Sequence, residues 1–292
     1  MFKNIPIPPS FSLIKKGKVY LLLEEEYKDF LLQPGIEDLE TFIKRHYPSI
    51  KYMKGRTDHP SIPAKGGKRM IIRHYSHGGL LRAFTRNFYL SGSRSFRELS
   101  LTEEIRSYGI PTAQPIGAIH RLIFPPFYHA YFLSLEIPKA MDLIEYFQQI
   151  GPYPTHEMLS HKRKTIRSAG LLLQKFHQAG FFHGDLQLKN ILIAGDQLFL
   201  IDFDRSYKKP VLSIKDRIKN LLRLNRSAEK WKRFGLPITR ADRLRFFLAY
   251  AAADVKIREG MMRALRFYSI RSFLYRWVWA LEQLFTQKRN SF

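Results

Sequence analysis

The hydrophobic pattern changes character along this chain. Residues 12–56 read as short strands broken by one helical stretch near 37–46. Gly66-Gly67 reads as a hairpin turn, and 68–75 then reads as a strand carrying Met70-Ile71-Ile72-Arg73. The period lengthens next: Phe96, Leu99, Leu101 and Ile105 give 93–108 a helical face, which Gly109 and Pro111 end. An apolar run over 130–137 predicts a buried strand closed by Pro138. Beyond it the helical period prevails. A short helix covers 141–149, a longer one covers 162–178 with Leu171, Leu172 and Phe176 inward, and 213–285 is mostly helical. Between these helices, Ile191-Leu192-Ile193 and Leu198-Phe199-Leu200-Ile201 flank Gly195-Asp196, the pattern of a tight hairpin. Strands first and helices afterwards predict an α+β fold of two lobes. The smaller, sheet-rich lobe covers 1–137 and the larger helical lobe 138–292, with the 130–137 strand as the connection.

Composition narrows the class. The chain has 292 residues, 45% of them hydrophobic, enough for one large domain or two lobes around a sizeable core. With no cysteine, disulfides and thiolate metal sites are excluded, which suits a reducing cytoplasm. No apolar h-region follows the N-terminus, so no signal peptide is expected, and no run of eighteen apolar residues predicts a spanning helix. Charge changes the picture most. The chain carries 49 Lys and Arg against 25 Asp and Glu, a net +24, which implies an anionic partner: nucleic acid, a membrane surface or a phosphorylated substrate. Residues 205–233 alone hold eleven Lys or Arg against two acids, Asp216 and Glu229. A solvated helix face would explain such a run, yet its place directly after the loop described next favours an anionic acceptor. Phe267, Ile270, Leu274, Trp277, Val278, Leu281 and Phe285 also fall at helical spacing, a stripe read as core in preference to an interfacial membrane helix.

The chemistry concentrates in His183-Gly184-Asp185-Leu186-Gln187-Leu188-Lys189-Asn190-Ile191-Leu192, followed by Leu200-Ile201-Asp202-Phe203-Asp204. Asp185 to Asn190 is 190 − 185 = 5 positions and Asp185 to Asp202 is 202 − 185 = 17, the spacing of the catalytic and metal loops of kinase-like phosphotransferases. The hairpin would bring Asn190 and Asp202, 202 − 190 = 12 positions apart, to one end of two paired strands. Phosphoryl transfer from ATP needs hard oxygen ligands for Mg²⁺, which Asn190 and Asp202 supply. It also needs an acceptor for the hydroxyl proton, which Asp185 supplies as a base or orienting group. His183 would hold the loop by hydrogen bonding. Each fragment alone is weak, since a lone Asp in a turn is commonly structural; it is the register of all three with two apolar strands that carries the reading. Further positions are candidates for the nucleotide. Lys54-Gly55-Arg56 is a candidate phosphate-covering turn, with Gly55 at its centre. Arg73, ending its strand, could reach phosphates or simply be a surface cation. Glu98 could pair with Arg73, with Glu103 and Glu104 as rivals. The backbone near Glu136 and Ile137 would meet the adenine.

Further segments carry a resemblance. Residues 72–80 contain R-H-Y-x-x-G-G-L, 87–90 read N-F-Y-L, 94–99 contain R-x-F-x-E, and 201–205 read I-D-F-D-R. Over about 50–250 the chain resembles the lipopolysaccharide kinase family, on its 3-deoxy-D-manno-octulosonic acid (Kdo) phosphorylating side. The resemblance implies a two-lobed protein-kinase-like fold using ATP and Mg²⁺. It implies Asp185 as catalytic base, Asn190 and Asp202 as metal ligands, and Arg73 with Glu98 where kinases commonly place a Lys–Glu pair. The implied acceptor is a sugar hydroxyl of the lipopolysaccharide inner core, Kdo on lipid A foremost, at the cytoplasmic face of the inner membrane. A basic chain would bind that anionic surface peripherally, and nucleic acid is disfavoured. Asp204 stands where kinases commonly have the Gly of D-F-G, with no role assigned.

The rivals are a heptose kinase of the same family, a soluble small-molecule kinase of the aminoglycoside or choline type, a protein kinase and a catalytically silent glycolipid-binding kinase fold. The +24 charge opposes the acidic acceptor surfaces of the small-molecule type. No A-P-E-like anchor follows Asp202, which counts against a protein kinase. The intact Asp185, Asn190 and Asp202 oppose the silent fold.

Overall fold

The computed structural model describes residues 5–33, 35–53, 59–75, 89–90, 93–124, 127–252 and 254–264. Gly55, the Gly78-Gly79 pair, Asn87-Phe88 and the 267–285 stripe lie outside the described residues.

One antiparallel sheet builds the first half of the molecule. Its strands are β1 (Phe11–Lys16), β2 (Val19–Glu24), β3 (Lys51–Met53), β4 (His59–Pro63), β5 (Arg69–His74), β6 (Tyr89–Leu90), β7 (Pro115–Phe124) and β8 (Phe127–Leu135). They run in the order β1-β2-β7-β8-β5-β4-β3, and β6 pairs with β8. Between β2 and β3 lie α1 (Lys28–Leu31) and α2 (Leu39–Lys44), the latter inside the helical stretch read near 37–46. Leu21, Leu23, Ile62, Met70, Ile72, Ile119 and Leu133 pack on one face with Leu39 and Phe42 of α2. The opposite face, with Leu22, Ala118, Ala130 and Phe132, receives Phe96 and Leu99 of α3 (Arg94–Ser107). α3 begins at Ser93, whose hydroxyl accepts the Phe96 N–H at 3.4 Å, and ends before Gly109, at φ +64°.

After β8 the chain becomes helical. β9 (Met141–Asp142) and α4 (Leu143–Ile150) lead to α5 (His156–Gln178), the backbone of the second half. Leu173 and Phe176 of α5 are fully buried, but Leu171, read as inward, is 46% exposed. The core face here follows positions 166, 169, 173 and 176, and Leu171 lies off that stripe. β10 (Phe181–Phe182) pairs with β13 (Tyr207–Lys208), and the hairpin of β11 (Ile191–Ala194) and β12 (Gln197–Leu200) joins β9 in a three-stranded sheet, both packed against α5 or its neighbours. α6 (Ile214–Arg233) and α7 (Arg240–Ala251) close the core, and 255–264 is helical. Gly170 lets α7 cross α5 closely: a Cβ there would lie 2.6 Å from the Phe246 carbonyl oxygen. The sheet half and the helical half are the two lobes expected from the sequence, in an α+β arrangement. Among the described residues no helix is long and apolar enough to cross a membrane.

Candidate active site

The hairpin forms in the register its sequence predicts. Ile191 faces Leu200, and the Ile201 N–H donates to the Asn190 carbonyl at 3.1 Å, so Asn190 and Asp202 leave one end of the same strand pair. The Asn190 side chain is buried and donates Nδ2–H to the Asp185 carbonyl at 2.7 Å. That bond uses an N–H of the amide and leaves its oxygen, an acceptor, for another partner. Gln187 donates Nε2–H to Asp185 Oδ2 at 2.7 Å, while Asp185 Oδ1 lies 3.6 Å from Arg223 Nη1.

His183 is fully buried and does hold the loop. Its Nδ1 accepts the Asp185 N–H at 3.1 Å and its Nε2 faces the Ile201 carbonyl at 3.1 Å. Both bonds are made at once only by a neutral ring protonated on Nε2, and burial lowers its pKa in the same direction. Behind it, Asn220 of α6 accepts the His183 N–H and donates to the His183 carbonyl, both at 2.9 Å. His177 bridges Asn220, at 3.1 Å, to the Tyr250 hydroxyl, at 2.7 Å. Gly184 fits because a Cβ there would come 2.6 Å from the Asp204 carbonyl oxygen.

The sheet side meets this loop through charge. Arg73, next to last in β5, faces Phe132, and its guanidinium reaches both Glu98 and, at 2.5 Å, Asp202 Oδ1. Glu98, 4% exposed, accepts from Arg73, from the Tyr75 hydroxyl and from the Phe203 N–H at 3.1 Å. Burial pushes its carboxyl above the ordinary value, opposed by the Arg73 charge and by these donors. Burial works against the Arg73 charge, but Glu98, Tyr75 and Asp202 outweigh it and hold the guanidinium protonated. Burial likewise pushes the Asp202 carboxyl up, and the Arg73 guanidinium reverses this, holding it below the ordinary value. Asp202 has φ +66°, a left-handed conformation costing a non-glycine residue about 1–3 kcal/mol. The Arg73 contact and the Glu98 bond to the next N–H hold it there. The rivals for Arg73 are engaged elsewhere: Glu103 with Arg106, and Glu104 with Lys208 at 2.6 Å.

Asp204 acquires a role in the fold. It takes Arg94 of α3 through two bonds, one of them Nε to Oδ1 at 3.1 Å. α3 is thereby latched twice to the loop after β12, at Glu98 and at Arg94. At the lobe connection, the Glu136 N–H donates to the Arg69 carbonyl at 2.8 Å and its side chain takes Ser61 and Arg69. The Ile137 carbonyl accepts the Ala140 N–H at 3.2 Å. Among the described residues no backbone bond takes the Glu136 carbonyl or the Ile137 N–H.

Asp185, His183, Asn190, Asp202, Arg73 and Glu98 therefore meet at one place between the lobes. Several partners carry no role in the sequence reading. Tyr75 and Arg94 stand inside the quoted segments, and Gln187 inside the catalytic loop. Arg223 is visible only as one cation in a run, and nothing in the sequence marks Asn220 or His177.

A sheet lobe over a helical lobe, with this Asp, Asn and Asp set between them, defines a kinase-like phosphotransferase. A solved structure described as WaaP in complex with acyl carrier protein superposes with a TM-score of 0.54 over 84% of this chain and 97% of that one; at 19% identity the likeness is one of fold. The Lipopolysaccharide kinase (Kdo/WaaP) family matches residues 54–250, and the chain belongs to it. It is 33% identical over 172 residues to the 3-deoxy-D-manno-octulosonic acid kinase of Pasteurella multocida (strain Pm70), covering 56% of this chain and 67% of that protein. It is 34% identical over 164 residues to the namesake of Vibrio vulnificus (strain CMCP6), covering 54% and 64%. The match thus spans about two thirds of the length of these relatives. The enzyme is a kinase.

Proposed function

We propose that this kinase moves the terminal phosphoryl group of ATP to a sugar hydroxyl of the lipopolysaccharide inner core, with Kdo on lipid A as the acceptor. The names of the relatives support the sugar, and the meeting of Asp185, Asn190 and Asp202 with the Arg73–Glu98 pair carries the chemistry. In this reading the lobes divide near residue 137, and the adenine meets the backbone beside Glu136 and Ile137.

The donor set fits Mg²⁺. The Asn190 amide oxygen and the ionised Asp202 are hard oxygens, and among the described residues no group of three or more His, Cys, Asp or Glu could hold a metal. Two protein oxygens leave the other positions to phosphates and water. When bound, the cation neutralises the phosphate oxygens. Arg73, kept charged by Glu98, adds a second positive centre on the sheet side. Asp185 orients the acceptor hydroxyl: Gln187 fixes Oδ2, leaving Oδ1 to take the proton as the new O–P bond forms and the bond to ADP breaks. His183 is not a proton carrier here, because both ring nitrogens are engaged and burial keeps it neutral.

The acceptor would be met at an anionic membrane surface, held by the excess positive charge without a spanning helix. Sedimentation with anionic vesicles would then fall as salt rises; binding indifferent to salt would refute that part. Labelled ATP with a series of truncated lipopolysaccharide cores tests the reaction itself. Label should enter cores ending in Kdo, and label requiring heptose would move the assignment to that sugar.

A further inference from the structure

α6 carries more than the Asn220 anchor. Lys219, Arg223, Arg226 and Lys230 follow one another at intervals of four, three and four residues, so they lie on one flank of the helix. That flank adjoins the catalytic loop. Arg223 donates to the Gly184 carbonyl and approaches Asp185, and the neighbouring Ser227 hydroxyl accepts the Leu188 N–H at 3.2 Å. Lys219, Arg226 and Lys230 are exposed. None of these three makes an ion pair with a carboxylate among the described residues; Asp216 feels the Lys219 charge, but the ion pairs of the helix's acids go to other cations. Asp216 holds Lys209 at 2.8 Å, and Glu229 holds Arg243. Like charges at such spacing repel, so the row is a cost to the isolated helix. From Lys219 to Lys230 it extends about 16 Å at the ordinary helical rise.

We propose that this flank is an acceptor track: it binds the anionic groups, phosphate or carboxylate, of a saccharide whose hydroxyl is delivered to Asp185. Neighbouring cations of the row can share one anionic group, but its two ends, about 16 Å apart, are engaged together only by an acceptor carrying two or more such groups. The inference rests on the proposed acceptor but concerns binding, which is measurable without turnover.

The test uses the full chain and a Lys219→Gln, Arg226→Gln, Lys230→Gln variant, leaving Arg223 intact. The probe is a deacylated Kdo-bearing glucosamine disaccharide with two phosphates, titrated calorimetrically without ATP, beside its dephosphorylated counterpart. The wild type should prefer the phosphorylated probe, and the variant should bind it at least about tenfold more weakly, as expected from losing one or more charge-assisted contacts. The KM for ATP should be unchanged, and a variant replacing Lys219 and Lys230 by Arg should bind as the wild type does. Equal affinity of wild type and variant for the soluble phosphorylated probe would overturn the track; should vesicle binding alone weaken, the flank is a membrane surface instead. Competition by a short RNA as strong as by the saccharide would also overturn it, in favour of nucleic acid. Probe binding that depends on the track but is followed by no phosphoryl transfer would refute the proposed reaction and leave the track standing.

Discussion

The two sides of the site are held by different physics. On the helical side, His183, Asn190 and Asp185 sit on a loop fixed mainly by neutral hydrogen bonds to Asn220, His177, Tyr250 and the loop's own backbone, with Arg223 adding a charged donor to the Gly184 carbonyl. On the sheet side, Arg73, Glu98, Arg94, Asp202 and Asp204 are held by ion pairs crossing from β5 and α3 to the loop after β12. Neutral networks of this kind resist change because every member is satisfied, and losing one strands several buried groups. Ion pairs bridging two lobes depend on the protonation of both partners and on the lobes staying together. The helical side is therefore expected to respond to loss of a buried partner, and the ion-paired sheet side to salt.

The contrast is tested most severely at the reacting groups. Asp185→Asn and Asp202→Asn should each lower kcat by about 10²–10⁴-fold, measured with labelled ATP, with little change in melting temperature for Asp185→Asn and a lower one for Asp202→Asn, which gives up its ion pair with Arg73. Wild-type turnover in either variant would remove the residue from the proposed mechanism. Asn220→Ala should act through folding instead. It leaves the His183 N–H and carbonyl and the His177 Nε2 without partners, so denaturant unfolding should show a loss of about 2–4 kcal/mol. Acid should also weaken the fold through its histidines. Burial pushes His177 down to about 3, and His74 and His120 down to about 4. Each is neutral in the native state and gains a proton on unfolding, so stability is full above pH about 6.5 and declines toward pH 4, by about 1.4 kcal/mol per pH unit for each group. His177→Gln should flatten that slope in urea titrations across pH. The smallest effect belongs to the second latch. Arg94→Ala should raise the KM for ATP a few-fold while costing about 1 kcal/mol or less of stability, because this pair is partly open to solvent. An Arg94→Ala loss larger than that of Asn220→Ala would reverse the ranking of the two sides.

The residues of the reacting centre were legible because short spacing and strand register place them. Five positions and one hairpin leave Asp185, Asn190 and Asp202 little freedom to separate. The Arg73–Glu98 pair was legible as one choice among three acids, and only the seating of α3 on the sheet selected Glu98 over Glu103 and Glu104. Leu171 shows the limit of a helical pattern, since an apolar residue near the core stripe still faced solvent.

By itself the sequence determined the local elements, the order of strands before helices, the chemical identity of the reacting groups and the excess of positive charge, because each depends on neighbours within a few residues or on composition. The tertiary fold decided which groups stand behind them. Asn220 against His183, Arg94 against Asp204 and the alignment of the α6 cations beside Asp185 join positions 37, 110 and 38 residues apart in the chain (220 − 183, 204 − 94 and 223 − 185). Contacts of that range are set by how whole helices pack on the loop, and no local pattern of side chains encodes them.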